Sequence, residues 1–329
     1  MKILRSILSD DLPRSRWLTL VLLAILIGLA VAPFAFPGAK SLNVAARICV
    51  FIVLAASFDL LLGYTGIVSF AHTMFFGIGA YGVAIALTKL GASWTSVAIG
   101  VGSGLALAIV LAVLIGLFSL RLRTIFFAMI TLAVASAFAI LASQLSDITG
   151  GEDGLNYRLP ELLRPSFRPW EGMTGRLIDY YIVYGVSLAL VLGLLRIVNS
   201  PFGSVLMAIR ENPFRAEAIG YRTVVYRTLA SCIAAAAAAL AGALLALWSA
   251  QASPDTTLSF DIMVDILLMV VIGGMGTIYG PAIGAVVLVL AQNYLQALLG
   301  DRWLLWLGVA FILCVYFFPT GIVGRLRRR

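Results

Sequence analysis

The chain is poor in charge, in histidine and in phosphate-binding motifs. Only 12% of its 329 residues are charged, whereas soluble domains carry about 25%. Its single histidine, His72, excludes histidine dyads and His-rich metal clusters. No G-x-x-x-x-G-K-[ST] loop is present, so an ATP-driven function would need a separate ATPase chain. The three cysteines lie in apolar runs and indicate small buried residues. With no other catalytic constellation, we expect no enzyme and no metal site.

Long apolar runs dominate what remains. Hydrophobic residues make up 62% of the chain, and a helix needs about 20 of them in succession to cross a bilayer. The alternation typical of transmembrane strands is absent. The sequence therefore predicts an all-α polytopic membrane protein of about ten transmembrane helices. The predicted spans are 17–36, 44–62, 70–88, 94–118, 125–143, 178–198, 228–250, 262–275, 282–299 and 303–319.

The distribution of basic residues supports this count. Ten spans place both termini on one side, and 15 of the 23 basic residues then lie on that side. Because lysine and arginine are enriched in cytoplasmic segments, we predict cytoplasmic termini. The domains are an N-terminal segment 1–16, a transmembrane domain 17–320 and a basic tail 321–329. The alternative is eight spans with re-entrant segments around 63–88 and 262–299.

Two hydrophilic segments interrupt the apolar runs. The outer one, 144–177, is rich in turn-forming Gly and Pro. The inner one, 199–227, contains the helix-like stretches MAIREN and FRAEAIG, and Gly220 is placed to stop a helix. We expect a short helix on the cytoplasmic face that is available to a partner.

Polar residues within the spans are candidates for function, because they are expensive in lipid. We assign Asp59, Tyr64, Ser69, His72 and Asp265 to a candidate substrate pathway. The alternative interpretation is structural: Asp59 and Asp265 lock helices together, and His72 is a hydrogen-bonded packing residue.

Glycines cluster at two similar places. GYTG (63–66) and GGMG (273–276) each follow one apolar span and precede another, as in a parallel internal repeat. Chance similarity is the alternative, since glycine is common in membrane helices. We interpret seven glycines as structural, either for close packing or for unwound backbone. They are Gly63, Gly66, Gly77, Gly79, Gly273, Gly274 and Gly276.

Several stretches together resemble the permeases of branched-chain amino acid ABC importers, the LivM type more than the LivH type. They are LLGYTGIVSFAHTMFFGIGAY (61–81), TGGEDGL (149–155), AIRENPFRAEAIGYRTVVYRTLA (208–230), AGALLAL (241–247) and ILLMVVIGGMGTIYGPAIGAV (266–286). The resemblance covers roughly residues 45–320.

The resemblance implies an inner-membrane permease that works by alternating access with a second, LivH-like permease. Two cytoplasmic ATPases would bind ATP and Mg, and a periplasmic solute-binding protein would deliver substrate to a surface that includes 144–177. No cofactor is expected on this chain, and no nucleic-acid partner despite its net charge of +8. Seven residues match the family's ATPase-coupling loop: Arg210, Glu211, Asn212, Ala216, Glu217, Ala218 and Gly220.

The chain departs from the usual family residues at Asp59, Phe70, Ala71, Thr73 and Met74. These departures leave the fold untouched and bear on the choice of solute. The resemblance implies a branched-chain amino acid, an amide, urea or an aromatic acid. A secondary transporter or channel using Asp59, His72 and Asp265 as a polar or proton pathway is the alternative function.

Overall fold

The computed structural model describes residues 16–35, 38–119, 124–168, 174–302 and 321–323, with isolated positions between 303 and 320. Nine helical spans within these residues are long and apolar enough to cross a membrane. The long helices are α1 (Arg16–Ala35), α2 (Ala39–Asp59), α3 (His72–Leu90), α4 (Trp94–Ser119), α5 (Thr124–Gln144), α7 (Gly175–Val198), α10 (Thr223–Ser249), α12 (Phe260–Gly273) and α13 (Tyr279–Leu299). A π-helical turn, Leu60–Thr65, extends α2.

Short elements connect the spans. They are α6 (Ser146–Thr149), β1 (Leu155–Asn156), a 3-10 turn (Glu161–Leu163), α8 (Pro201–Glu211), α9 (Pro213–Ala218), β2 (Gln251–Ala252), α11 (Pro254–Thr257) and a 3-10 turn (Gly300–Arg302). The eighth span joins α11 to α12 and is interrupted at Leu258 and Ser259.

Helices α2, α3 and α10 form the centre of the bundle, and α2 is buried over most of its length. Small residues let these helices approach closely. A Cβ atom added at Gly79 of α3 would overlap the backbone of Ala239, and one at Gly242 of α10 would overlap the carbonyl of Phe76. The alanine run that begins at Ala234 therefore serves close packing.

The connecting segments lie on two opposite faces. On the first, which we call the strand face, β1 pairs antiparallel with β2, so that Leu155 lies opposite Ala252. Tyr157 donates a hydrogen bond of 2.7 Å to the carbonyl of Ala246. Burial, with the nearby charge of Asp179, raises the pKa of the Tyr157 hydroxyl, which therefore stays a donor. The outer segment is thus attached to the bundle.

The second face, the α8–α9 face, carries the ends of α2, α7 and α12 together with α8 and α9. The contacts between α8 and the π-helical turn show that these elements share one end of the bundle. This arrangement agrees with the predicted alternation of spans.

Nine of the ten predicted spans coincide with helices, with shifted ends. Helix α10 begins at Thr223, whereas the apolar run begins at 228. The helix includes charged residues, because backbone hydrogen bonding does not require apolar side chains. A prediction based on apolar residues therefore places the start of the helix too late. The tenth predicted span, 303–319, lies mostly outside the described residues, as do 1–15 and 324–329.

Candidate functional site

The two glycine-rich stretches meet on the α8–α9 face. The buried carboxylate of Asp59 accepts a 3.0 Å hydrogen bond from the backbone N–H of Gly276. A Cβ atom added at Gly63 would overlap both the Asp59 carboxylate and the Gly276 nitrogen. We call Asp59, Gly63 and Gly276 the glycine junction. It joins the end of α2 to the loop between α12 and α13, more than 200 residues later in the chain.

Backbone conformation explains the other glycines of the two stretches. Gly66 ends the π-helical turn at φ +73°, and Gly274 and Gly276 adopt φ +117° and +78°. Side chains are strained in this left-handed region. Gly77, Gly79 and Gly273 instead allow close contacts, with Leu258, Ala239 and Gly280 respectively. Three of these glycines therefore adopt backbone conformations that disfavour side chains, and three lie at close contacts.

Arg210 connects α8 to the glycine junction. Its guanidinium donates a hydrogen bond to the carbonyl of Gly63. It also lies close enough to Asp59 to interact with that carboxylate electrostatically. The second oxygen of Asp59 has no hydrogen-bond partner among the described residues. Displacement of α8 would therefore act directly on the ends of α2 and α12.

His72 is fully buried where α3 packs against α2. We call its surroundings, together with the glycine junction, the sealed interior. Its Nε2 lies 2.8 Å from the hydroxyl oxygen of Ser57, and that hydroxyl donates to the carbonyl of Leu54. With the Ser57 hydroxyl donating to Leu54, Nε2 is assigned as the donor, and Nδ1 has no hydrogen-bond partner among the described residues. The imidazole also packs edge-on against Phe58, with ring centroids 5.4 Å apart. These contacts match the structural interpretation of this histidine.

Asp265 lies at a different depth in the bundle from Asp59. Its carboxylate accepts a 2.8 Å hydrogen bond from the side-chain amide of Gln292 and interacts electrostatically with Arg47. Arg47 and Asp59 are twelve residues apart in α2, which is about 18 Å at 1.5 Å per residue.

The predicted pathway residues do not form one site. Ser57, which contacts His72, and Asp59 are two residues apart and so point to opposite sides of α2. Tyr64 and Ser69 are buried in the segment that links α2 to α3. Within the described part of the chain, no continuous line of contacts runs from Asp59 through His72 to Asp265.

The inner segment 199–227, for which a short helix was predicted, contains two short helices, α8 and α9. Asn212 separates them and caps α9, its side chain accepting a hydrogen bond from the N–H of Arg215. Gly220 ends α9 at φ +98°: its N–H bonds to the Glu217 carbonyl, and the next N–H bonds to Ala216. This pair of bonds is the Schellman motif.

The seven predicted coupling residues differ in exposure. Ala216 lies on the buried side of α9, whereas Glu211, Ala218 and Gly220 are exposed. Glu217 is also exposed, but its carboxylate accepts a hydrogen bond from the Thr223 hydroxyl. The side chains of Ala216 and Glu217 therefore make contacts within the segment 199–227 itself.

Two neighbouring residues were missed by the sequence analysis. Phe214 is 82% exposed and Ile219 is 72% exposed, and both project from α9 or its end. The sequence signal that could have identified them is the presence of large apolar residues in an otherwise polar segment. Exposed apolar groups of this kind mark surfaces that other proteins cover.

A family model decides the identity of the chain. The model described as branched-chain amino acid transport system / permease component matches residues 41–318. The chain belongs to this permease family. Its permease relatives, LivM among them, support a transport subunit of the ABC type in a membrane, as the resemblance predicted.

Curated relatives agree with the family model. This permease is 27% identical to the high-affinity branched-chain amino acid transport system permease protein LivM of Salmonella typhimurium, over 94% of this chain and 75% of the relative. It is 25% identical to the corresponding protein BraD of Pseudomonas aeruginosa, over 83% of this chain and 91% of the relative. No solved structure matches it significantly.

Proposed function

We propose that the chain is the permease subunit of a binding-protein-dependent ABC importer for branched-chain amino acids or a related small solute. It would work by alternating access in the inner membrane, with cytoplasmic termini. Its partners would be a second permease, two ATPases that bind ATP and Mg, and a periplasmic solute-binding protein. The α8–α9 face would be the cytoplasmic ATPase-docking surface.

The observation that carries this proposal is the combination of contacts made by α8 and α9. Phe214 and Ile219 present apolar side chains outward, while Arg210 of the same segment reaches the glycine junction. A partner that covers the exposed residues would push or pull on α8. The hydrogen bond from Arg210 would then pass this movement to the ends of two spans, which is the physical requirement for coupling ATP hydrolysis to opening.

The proposal is tested by charging the exposed surface. Burial of a large apolar side chain is worth about 1.5–3 kcal/mol. We therefore expect Phe214→Glu with Ile219→Glu to weaken ATPase association by about tenfold or more. The measurement is the amount of ATPase that copurifies with the full-length permease from membranes.

The matched control is Leu162→Glu, since Leu162 is an exposed apolar residue of the outer segment. It should leave ATPase association unchanged. Unaltered copurification of the ATPase with the Phe214→Glu, Ile219→Glu protein would reject the docking surface. Absence of any ATPase from the wild-type preparation would reject the importer function.

A further inference from the structure

A polar groove opens between α5, the start of α3 and the interrupted eighth span. Its volume is about 560 Å³. Its polar lining residues are Thr73, Ser136, Ser143, Glu152, Asp255 and Ser259. The aromatic rings of Phe70 and Phe260 also line it and lie 6.3 Å apart. The two other large cavities described, against α1 and between α3, α4 and α5, have predominantly apolar linings.

The interruption between α11 and α12 places helix ends beside this groove. Ser253 caps α11 in a capping box with Thr256. Ser259 caps α12 by accepting a 3.1 Å hydrogen bond from the N–H of Asp261. Irregular backbone within a span is tolerated where it is buried in protein or lines a cavity. In many transporters such discontinuous helices line the substrate site.

Two hydroxyl groups of the groove make no hydrogen bond to another described residue. Thr73 is 2% exposed, and its hydroxyl makes no hydrogen bond to another described residue. Ser136 is exposed and lies two residues from the midpoint of α5. A polar group in hydrocarbon is costly unless it finds a partner. Water or a polar solute in the groove would supply the missing hydrogen bonds.

The charge of the groove selects among solutes. Glu152 and Asp255 are acidic, and no basic residue is present among the described residues that line the groove. Such a site attracts a positively charged or N–H-donating group and repels a bare carboxylate. The ammonium of an amino acid or the N–H groups of an amide fit it. An aromatic acid without an ammonium group does not.

Resting on the importer function proposed above, we propose that this groove is the chain's contribution to the solute pathway. It conducts solutes that carry an ammonium or amide group, past the hydroxyls of Thr73 and Ser136. The pathway therefore follows α5 and the α11–α12 interruption and not the set Asp59, His72 and Asp265.

Thiol reactivity tests whether the groove contains water. Ser136→Cys and Ala137→Cys are compared in full-length protein lacking Cys49, Cys232 and Cys314, in membranes of its own cells with partner subunits in place. Ala137 is exposed, lies at nearly the same depth and does not line the groove. Thiosulfonates react with the thiolate, which forms in water and is suppressed in apolar surroundings. We expect Ser136→Cys to react about tenfold faster or more.

Reagent charge tests the role of the acidic residues. Cationic trimethylammonioethyl methanethiosulfonate should react faster with Ser136→Cys than anionic sulfonatoethyl methanethiosulfonate, after correction for their rates with a free thiol. Adding Glu152→Gln and Asp255→Asn should reduce this preference by about threefold to tenfold. An unchanged preference would overturn the proposed charge selection.

Equal, slow labelling of Ser136→Cys and Ala137→Cys would overturn the groove as a pathway. ATPase copurification is measured on the same membranes, so that the two proposals can fail separately. Slow labelling with the ATPase bound rejects the groove alone. Fast labelling without any ATPase rejects the importer function while supporting the groove.

Discussion

His72 and Thr73 are consecutive residues of one helix with opposite surroundings. His72 is fully buried, donates to Ser57 and packs against Phe58. Thr73 is 2% exposed, but its hydroxyl lines the polar groove and has no described hydrogen-bond partner. Successive residues of a helix point about 100° apart. Polarity within a span therefore identifies candidates, and only the direction of each side chain separates a packing residue from a pathway residue.

The sealed interior owes its stability to close fit. At Gly63 the Asp59 carboxylate and the Gly276 backbone occupy the space that a side chain would need. The groove lacks such a fit, because it is an open space of about 560 Å³ into which the hydroxyl of Thr73 is directed without a described hydrogen-bond partner. We expect substitutions on the sealed side to change stability and those on the groove side to change transport.

The largest effect is expected for Gly63→Ala. The added methyl group would displace Asp59 or Gly276, and overpacking of this kind costs about 1–3 kcal/mol. Loss of the 3.0 Å bond between Asp59 and Gly276 would add to this cost. We expect a marked drop in the thermal midpoint of the detergent-solubilised protein.

Gly102→Ala is the control for this substitution, because a Cβ atom at Gly102 of α4 meets no atom within 4 Å. It should leave the thermal midpoint unchanged or slightly raised, since alanine favours helix. If Gly63→Ala and Gly102→Ala had the same thermal midpoint, the glycine junction would not be a stabilising contact.

A smaller loss of stability is expected for His72→Phe. The phenyl ring can keep the packing against Phe58, but the hydrogen bond to Ser57 is lost. Such a bond contributes about 0.5–1.5 kcal/mol. His72→Gln, which retains an N–H donor, should recover part of the loss in the same melting experiment. Equal stability of both variants and wild type, with impaired uptake, would favour a transport role for His72.

Features of the fold that depend on local sequence were predicted well. Nine spans, the two helices of the coupling stretch and the stop at Gly220 follow from apolar runs and turn residues. The interruption at Leu258 and Ser259 was missed, because the predicted span began only at 262 and the polar residues SPDTT before it gave no sign of a helix. The α11 helix before it is also only four residues long.

Contacts between distant parts of the chain were not predictable from one sequence. The similarity of GYTG and GGMG suggested a repeat, but nothing in it indicated that Gly63 and Gly276 touch. The candidate pathway failed as a single site for the same reason. Asp59, His72 and Asp265 are all polar, but Asp59 and His72 are fully buried whereas Asp265 is half-buried. Their separation depends on which helices pack against α2.

The smallest change in stability is expected for Thr73→Val. Valine has nearly the same shape, and the Thr73 hydroxyl has no bond within the described protein to lose. The free energy of unfolding should therefore change by less than about 0.5 kcal/mol. Uptake of a branched-chain amino acid into membrane vesicles should nevertheless show a KM raised about threefold to tenfold, if that hydroxyl bonds the solute or its water. Thr73→Ser, which keeps the hydroxyl, should retain the wild-type KM. A Thr73→Val protein as destabilised as His72→Phe, with normal uptake, would instead place Thr73 in the sealed interior and erase the contrast between the two residues.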